Sequence, residues 1–490
     1  MEIGVLIFLS SGLFLGWALG ANDAANVFGT AVATRMVNFT TAAIICSIFV
    51  ILGAVFSGSG AAKTLGKLGA VNALPGAFMA AFAAALAVYF MTKAGLPVST
   101  SQAIVGAIIG WNFFTNTLTD PVTLGKIIST WLVCPVLAAI CSAIIFKCTV
   151  KGVRWAKIHL LRIDAYTRLG LILAGAFGSY SLGANNIANV MGVFISSSPF
   201  SDISIGTLFT LTSVQQLFLI GALAIGVGVV TYSKRVMITI GADLLPLSPI
   251  AAWVAVVSHS IVLFLFASQG LKYLLETNGL PSIPLVPVSS SQAVVGAVLG
   301  IALVQGARNF QWGVFGSIGL GWVITPILAG IICFVGLFFL QNVFSQKVYQ
   351  PVSYGISNEV VERLEKEGID GTPLRTLNEK QFDNAVALHD VLSDIKQYGS
   401  FERKKIMFFA KYEPIFMDSQ KFVQLNRDGL PPERSRIIRT ISGQFYPYAW
   451  MLRDELVLRS AAWRKSEDDK YNRLLDRDFN FVVRLFKSKY

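Results

Sequence analysis

Fourteen polar side chains fall in four short motifs set in apolar sequence, and their types divide between two chemistries. "GANDAANV" at 20–27 carries Asn22, Asp23 and Asn26, and "GANNIANV" at 183–190 carries Asn185, Asn186 and Asn189. Carboxylate and amide oxygens are hard donors that suit Na+. "PVSTSQ" at 97–102 carries Ser99, Thr100, Ser101 and Gln102, and "PVSSSQ" at 287–292 carries Ser289, Ser290, Ser291 and Gln292. Hydroxyls at a helix start are donors for an oxyanion, because that end presents free backbone N–H groups and positive dipole character. Asp23 is the sole acid in the four motifs, and none contains Lys or Arg. A carboxylate at membrane depth costs about 2.5–3.5 kcal/mol on insertion scales, so its reading here is a ligand for a coupling cation. Neutral donors with exchangeable cations bind an oxyanion and still release it.

These residues need short helices to hold them. Ser and Thr are favoured N-caps and Pro rarely lies deep inside a helix, so each PVS motif should start one. The apolar stretches that follow, 102–114 and 292–304, have 13 residues each. That is about 20 Å of helix, short of the roughly 30 Å hydrocarbon core, so they read as re-entrant half-helices or parts of broken spans. The GAN motifs are expected to interrupt their own spans and to offer unwound carbonyls. Longer apolar stretches run over 3–20, 40–58, 74–92, 122–146, from 168 past 187, 204–230, 247–269 and 313–341.

The motifs are duplicated in register. The GAN pair is identical at six of eight positions, and "PVSTSQAIVGAIIG" and "PVSSSQAVVGAVLG" at ten of fourteen. "WLVCPVLAAI" at 131–140 and "WVITPILAGI" at 322–331 follow, so the offsets are 163, 190 and 191 and repeat 2 holds 27 extra residues. Such repeats with broken helices at the midplane are a recurrent secondary-transporter design. Their near-symmetry predicts comparable anion contacts from Ser101 and Ser291.

Charge divides the chain. Residues 1–341 hold 15 Lys/Arg and 7 Asp/Glu, and residues 342–490 hold 25 and 21. Eight units of the +12 net charge therefore lie in the apolar part, in short loops, which argues against nucleic-acid binding. The organisation expected is repeat 1 over 1–146, a basic cytoplasmic loop over 147–168, repeat 2 over 169–341 and a soluble, mostly helical domain over 342–490. The N-terminal stretch reads as a retained first span, without a signal peptide's basic start or small-residue cleavage site. An odd number of crossings per inverted repeat, with the basic linker inside, puts the C-terminal domain outside. Five cysteines without CxxC spacing or nearby histidines read as free core residues, and no transition-metal site is expected. His259 in "VVSHSIV" reads as a packed core histidine, and Lys234-Arg235 as loop charges.

With these motifs in order, the membrane half resembles the inorganic phosphate transporter (PiT) family, marked by paired GANDxAN and PVS(S/T)SQ motifs in two inverted repeats. The resemblance covers about residues 1–341. It implies Na+- or H+-coupled phosphate uptake, with sulfate as the cargo of some relatives. It also implies anion and cation positions at all fourteen residues named above. Asn186 departs from the aspartate that many members carry there, which removes one negative charge. The fold expected is an all-α polytopic membrane protein with two inverted repeats, broken or re-entrant helices and an appended helical domain. It would sit in the plasma membrane among lipid, need no organic cofactor, act on phosphate (or sulfate) without catalysing a reaction, and leave a homodimer open. A passive anion channel is the alternative of another class.

Overall fold

The computed structural model describes residues 3–69, 71–93, 98–157, 159–200, 202–205, 209–234, 237, 247–306, 311–427 and 430–488. Pro97 and Arg235 lie outside the described residues. Contacts divide the chain into two compact units, one of residues 1–115, 119–200 and 212–349, the other of 116–118, 201–211 and 350–490.

Among its described residues the first unit is predominantly helical. Repeat 1 supplies α1 (Ile3–Ala33), α2 (Phe39–Ser57), α3 (Ser59–Leu68), α4 (Leu74–Lys93), α5 (Thr100–Thr115) and α6 (Pro121–Ala156). Repeat 2 supplies α7 (Leu160–Met191), α8 (Ser213–Thr231), α9 (Pro249–Ala267), α10 (Gln269–Thr277), α11 (Ser290–Val304) and α12 (Trp312–Asn342). Among the described residues, seven helices (α1, α2, α4, α6, α8, α9, α12) are long and apolar enough to cross a membrane. On α6 and α12 the exposed side chains are apolar at helical spacing, Leu132, Val136, Ile140 and Ile144 on one, Val323, Ile327 and Ile331 on the other. Such stripes need an apolar solvent. The protein is an integral, multi-pass membrane protein.

Contacts between the repeats come in exchanged pairs: α1 packs on α8 and α7 on α2, α5 on α12 and α11 on α6, α4 on α12 and α9 on α6. The glycines of the motifs permit the close approaches. A methyl on Gly20 would overlap the Ile225 carbonyl oxygen, and one on Gly183 that of Val50. Gly106 and Gly296 likewise face the carbonyls of Pro326 and Pro135, the prolines of the third repeated motif. Small residues at such crossings let backbones pack closely enough to hold helices together in lipid.

Three expectations change. Residues 147–168 form no long loop, because α6 runs to Ala156 and α7 begins at Leu160, with Lys157 turning the chain at a φ of 46°. The basic side chains ride on helix ends beyond the apolar zone. The stretch 204–230 does not start as helix: Ile203–Ile205 and Phe209–Leu211 form an antiparallel hairpin, and α8 follows from Ser213. The third change concerns the GAN motifs and is described below. The offset between repeats is 163 at the first motif, 174 at the starts of α2 and α8, and 190 at the starts of α5 and α11. The extra residues of repeat 2 therefore enter in two places, around this hairpin and around α10. Of the five cysteines, Cys46, Cys134 and Cys333 are buried, Cys141 is half-buried and Cys148 is exposed.

The second unit is also mostly helical and is itself duplicated. A strand at Tyr354–Ile356, α13 (Asn358–Lys366), α14 (Thr372–Arg375), a strand at Lys380–Phe382, α15 (Ala385–Asp394) and α16 (Ser400–Ala410) come first. A strand at Ile415–Phe416, α17 (Phe422–Arg427), α18 (Pro432–Arg439), a strand at Phe445–Tyr446, α19 (Ala449–Arg459) and α20 (Asp469–Phe486) repeat the order. The registers correspond, with Tyr354 opposite Phe382 and Ile415 opposite Tyr446. Each half closes on its first strand, through Tyr354–Lys411 and Ile415–Lys487 bridges. The matched positions are buried: Leu364 with Leu425, Leu388 with Leu452, Leu392 with Leu456. This duplication was not anticipated from the sequence.

Candidate ion-binding site

α5 and α11 begin where the hydroxyl motifs predict. Ser99 and Ser289 are the residues before the first turns, and their Oγ atoms accept from the backbone N–H groups of Gln102 at 3.3 Å and Gln292 at 3.2 Å. Each bond satisfies one donor of a helix N-terminus. The helices have 16 and 15 residues, too short for the hydrocarbon core. All eight motif residues, Ser99 to Gln102 and Ser289 to Gln292, are buried.

The GAN motifs do not unwind. α1 runs unbroken through residues 20–27 and α7 through 183–190. Their backbone carbonyls are committed to the helix, so the side chains alone can act as ligands. The spacing i, i+1, i+4 of Asn22, Asp23 and Asn26, and of Asn185, Asn186 and Asn189, explains why a helix serves. Residues four apart share one helix face and the neighbour flanks it. All six are buried.

Hydrogen bonds then join the four motifs across the repeats. Asn26 Nδ2 of α1 donates to Ser290 Oγ of α11 at 3.0 Å, and Asn189 Nδ2 of α7 donates to Ser101 Oγ of α5 at 2.8 Å. Asn185 grips the backbone just before α11, donating to the Val288 carbonyl at 2.7 Å and accepting from the Val288 N–H at 3.0 Å. The Asp23 carboxylate accepts from Asn22 Nδ2 at 3.1 Å and from Asn186 Nδ2 at 3.3 Å. Where a second aspartate would repel Asp23, Asn186 supplies a donor to it. The Asn186 Oδ1 accepts in turn from Asn185 and Asn189, each at 3.0 Å.

The hydroxyls differ in what remains free. Ser101 Oγ donates to the Val288 carbonyl at 3.1 Å, and Ser291 Oγ lies 3.0 Å from Ser289 Oγ. The comparable roles expected of Ser101 and Ser291 are therefore not matched by comparable bonding. Thr100 Oγ1, Gln102 Oε1, Gln292 Oε1 and Asn189 Oδ1 are buried without a partner. Buried oxygens are nearly always hydrogen-bonded, so these four motif oxygens are available to a hard cation or to a proton on a bound oxyanion.

His259, read from sequence as a packed histidine, is fully buried and places Nε2 2.9 Å from Ser290 Oγ. The signal for it was present: it breaks the repeat. Pro249 at the start of α9 matches Pro75 of α4, and that alignment puts the alanine run Ala83–Ala85 opposite His259.

The sequence profile described as the phosphate transporter family matches residues 19–333 and 277–388. A relative from Methanocaldococcus jannaschii, provisionally named a phosphate permease, is 29% identical over 336 residues, covering 68% of this chain and 97% of that protein. A sulfate permease of Bacillus subtilis is 27% identical over 365 residues, 70% of this chain and 90% of that protein. A solved structure titled as the sodium-dependent phosphate transporter superposes with a TM-score of 0.54 at 22% identity, covering 69% of this chain and 98% of that one, and so shares the fold. The chain belongs to the phosphate transporter family, and it is a membrane transporter rather than an enzyme.

Proposed function

We propose that this member of the phosphate transporter family takes up inorganic phosphate by secondary active transport, coupled to a cation, with Na+ favoured over H+. The observation that carries the reading is the crosswise pair of bonds, Asn26 to Ser290 and Asn189 to Ser101. Through them a candidate cation ligand set from each repeat meets the half-helix N-terminus of the other. The hydroxyls and free N–H groups of α5 and α11 serve the anion, and Asp23 with the amide oxygens of the two triads serves the cation. A cation beside Asp23 offsets the carboxylate and the anion together, so each ion favours the other's binding.

Phosphate is favoured over sulfate by the unpartnered half-helix oxygens of Thr100, Gln102 and Gln292. Hydrogen phosphate has a proton to give such an acceptor, whereas sulfate near neutral pH has none. Sulfate stands as the second reading because a sulfate permease is among the relatives. Binding of radiolabelled phosphate to the purified protein in detergent tests the choice. Binding should be tighter in Na+ than in choline, and sulfate should displace it only in large excess. Displacement by sulfate at equal concentration would reverse the assignment.

A further inference from the structure

The two hydroxyls that receive the crosswise amides have different fates, and the difference leads to His259. A serine hydroxyl has one proton and two lone pairs. On Ser101 the proton goes to the Val288 carbonyl. The Ser290 hydroxyl accepts from Asn26 and also contacts His259 Nε2, and no other partner of that hydroxyl is seen among the described residues. The direction of the Ser290–His259 bond depends on which imidazole nitrogen holds the proton.

His259 Nδ1 is buried and has no partner. A buried N–H without an acceptor is rarer than a lone pair without a donor, so the proton belongs on Nε2. His259 and Asn26 then both donate to Ser290 and fill its two lone pairs. The Ser290 proton has to point elsewhere.

We propose that His259 is a positioning residue of the transport site, one that holds Ser290 as a directed donor to the bound oxyanion. The inference rests on the anion site proposed above. It assigns α9 a part in the site that repeat 1 does not reproduce, since alanines occupy the corresponding stretch of α4. Anion recognition is then led by the repeat 2 half-helix, with Ser101 holding the two half-helices together.

A double-mutant cycle on the full-length protein in detergent, read by calorimetric titration with inorganic phosphate, tests this. Ser290→Ala should weaken phosphate about tenfold, the loss of one bond to a charged group. His259→Ala should weaken it about fivefold alone and add nothing in the Ser290→Ala background, because it acts through that hydroxyl. His259→Gln, which keeps an N–H donor, should restore affinity to within about twofold of wild type. His259→Leu, of similar volume and without a donor, replaces the alanine variant if that does not fold. Equal weakening by the histidine change with or without Ser290, or no weakening at all, would overturn the proposal while leaving the anion site standing. An unchanged affinity in Ser290→Ala would remove the site reading and this inference together.

Discussion

In the membrane unit the repeats keep polar identity: the Asn positions of the GAN motifs and the Ser and Gln positions of the PVS motifs recur with little change. In the C-terminal unit the repeats keep buried leucines, such as Leu388 with Leu452 and Leu392 with Leu456, while few exposed residues recur beyond Arg375-Thr376 with Arg439-Thr440. Polar groups buried in a membrane protein are costly, so a matched set of them reports a shared task. Matched leucines report a shared core and leave the task open. Within the membrane unit a further contrast appears. Helix packing is exchanged evenly between repeats, but the site is not: Asp23 faces Asn186, and His259 has no repeat 1 counterpart.

The largest effect should come from removing the one charge. Asp23→Asn should end concentrative uptake while leaving α1 folded, since Asn fits the same helix face. Gradient-dependent accumulation by that variant, measured in proteoliposomes, would take Asp23 out of the mechanism.

The C-terminal duplication should respond in stability. Leu388→Ala and Leu452→Ala should each cost about 2–5 kcal/mol, as large-to-small core changes do. Chemical unfolding followed through the unit's tryptophans would compare them, and a negligible cost at either position would break the equivalence of the halves.

Asn186→Asp sharpens the contrast at the centre of the site. It would replace a donor 3.3 Å from the Asp23 carboxylate with a second negative charge. Such a pair needs a cation or a shared proton, so Na+ dependence of phosphate binding should steepen. An unaltered Na+ titration would make position 186 a packing position.

The smallest effect expected lies in the pH response of the C-terminal unit. Glu413 is a mostly buried carboxyl whose burial opposes ionisation, yet Lys411 at 2.8 Å and Lys487 at 3.6 Å hold it below its ordinary value of 4.5. A depressed folded value stabilises above the unfolded one and is lost as pH falls through the folded one. The unit should therefore loosen more below pH 4.5 in wild type than in Glu413→Gln, and parallel acid transitions would count against the pairing.

Much of this was legible in the residues. The half-helices were, because Ser99 and Ser289 carry capping chemistry immediately before apolar runs. The meeting of the four motifs was, because duplication in register implies a shared place. The continuity of α1 and α7 was not legible: Asn22, Asp23 and Asn26 have helical spacing, but polar residues in an apolar span imply a break unless neighbouring helices satisfy them, as they do here. His259 reads as a packed histidine because a lone histidine suggests little by itself; its break with the repeat counts only once α4 and α9 are aligned, and its meaning lies in the contact with Ser290. The C-terminal duplication survives in buried apolar positions and a few scattered polar matches, such as Arg375-Thr376 with Arg439-Thr440, too sparse to stand out among helical sequences.

The transport proposed for this protein carries phosphate with a cation through the site where the repeats cross. Uptake of labelled phosphate into proteoliposomes, with Na+ and pH gradients imposed independently, tests it most directly. Phosphate should accumulate above the external concentration when Na+ is directed inward, and the accumulation should collapse when that gradient is dissipated. Phosphate that only equilibrates, whichever gradient is applied, would contradict it and identify a passive anion pathway.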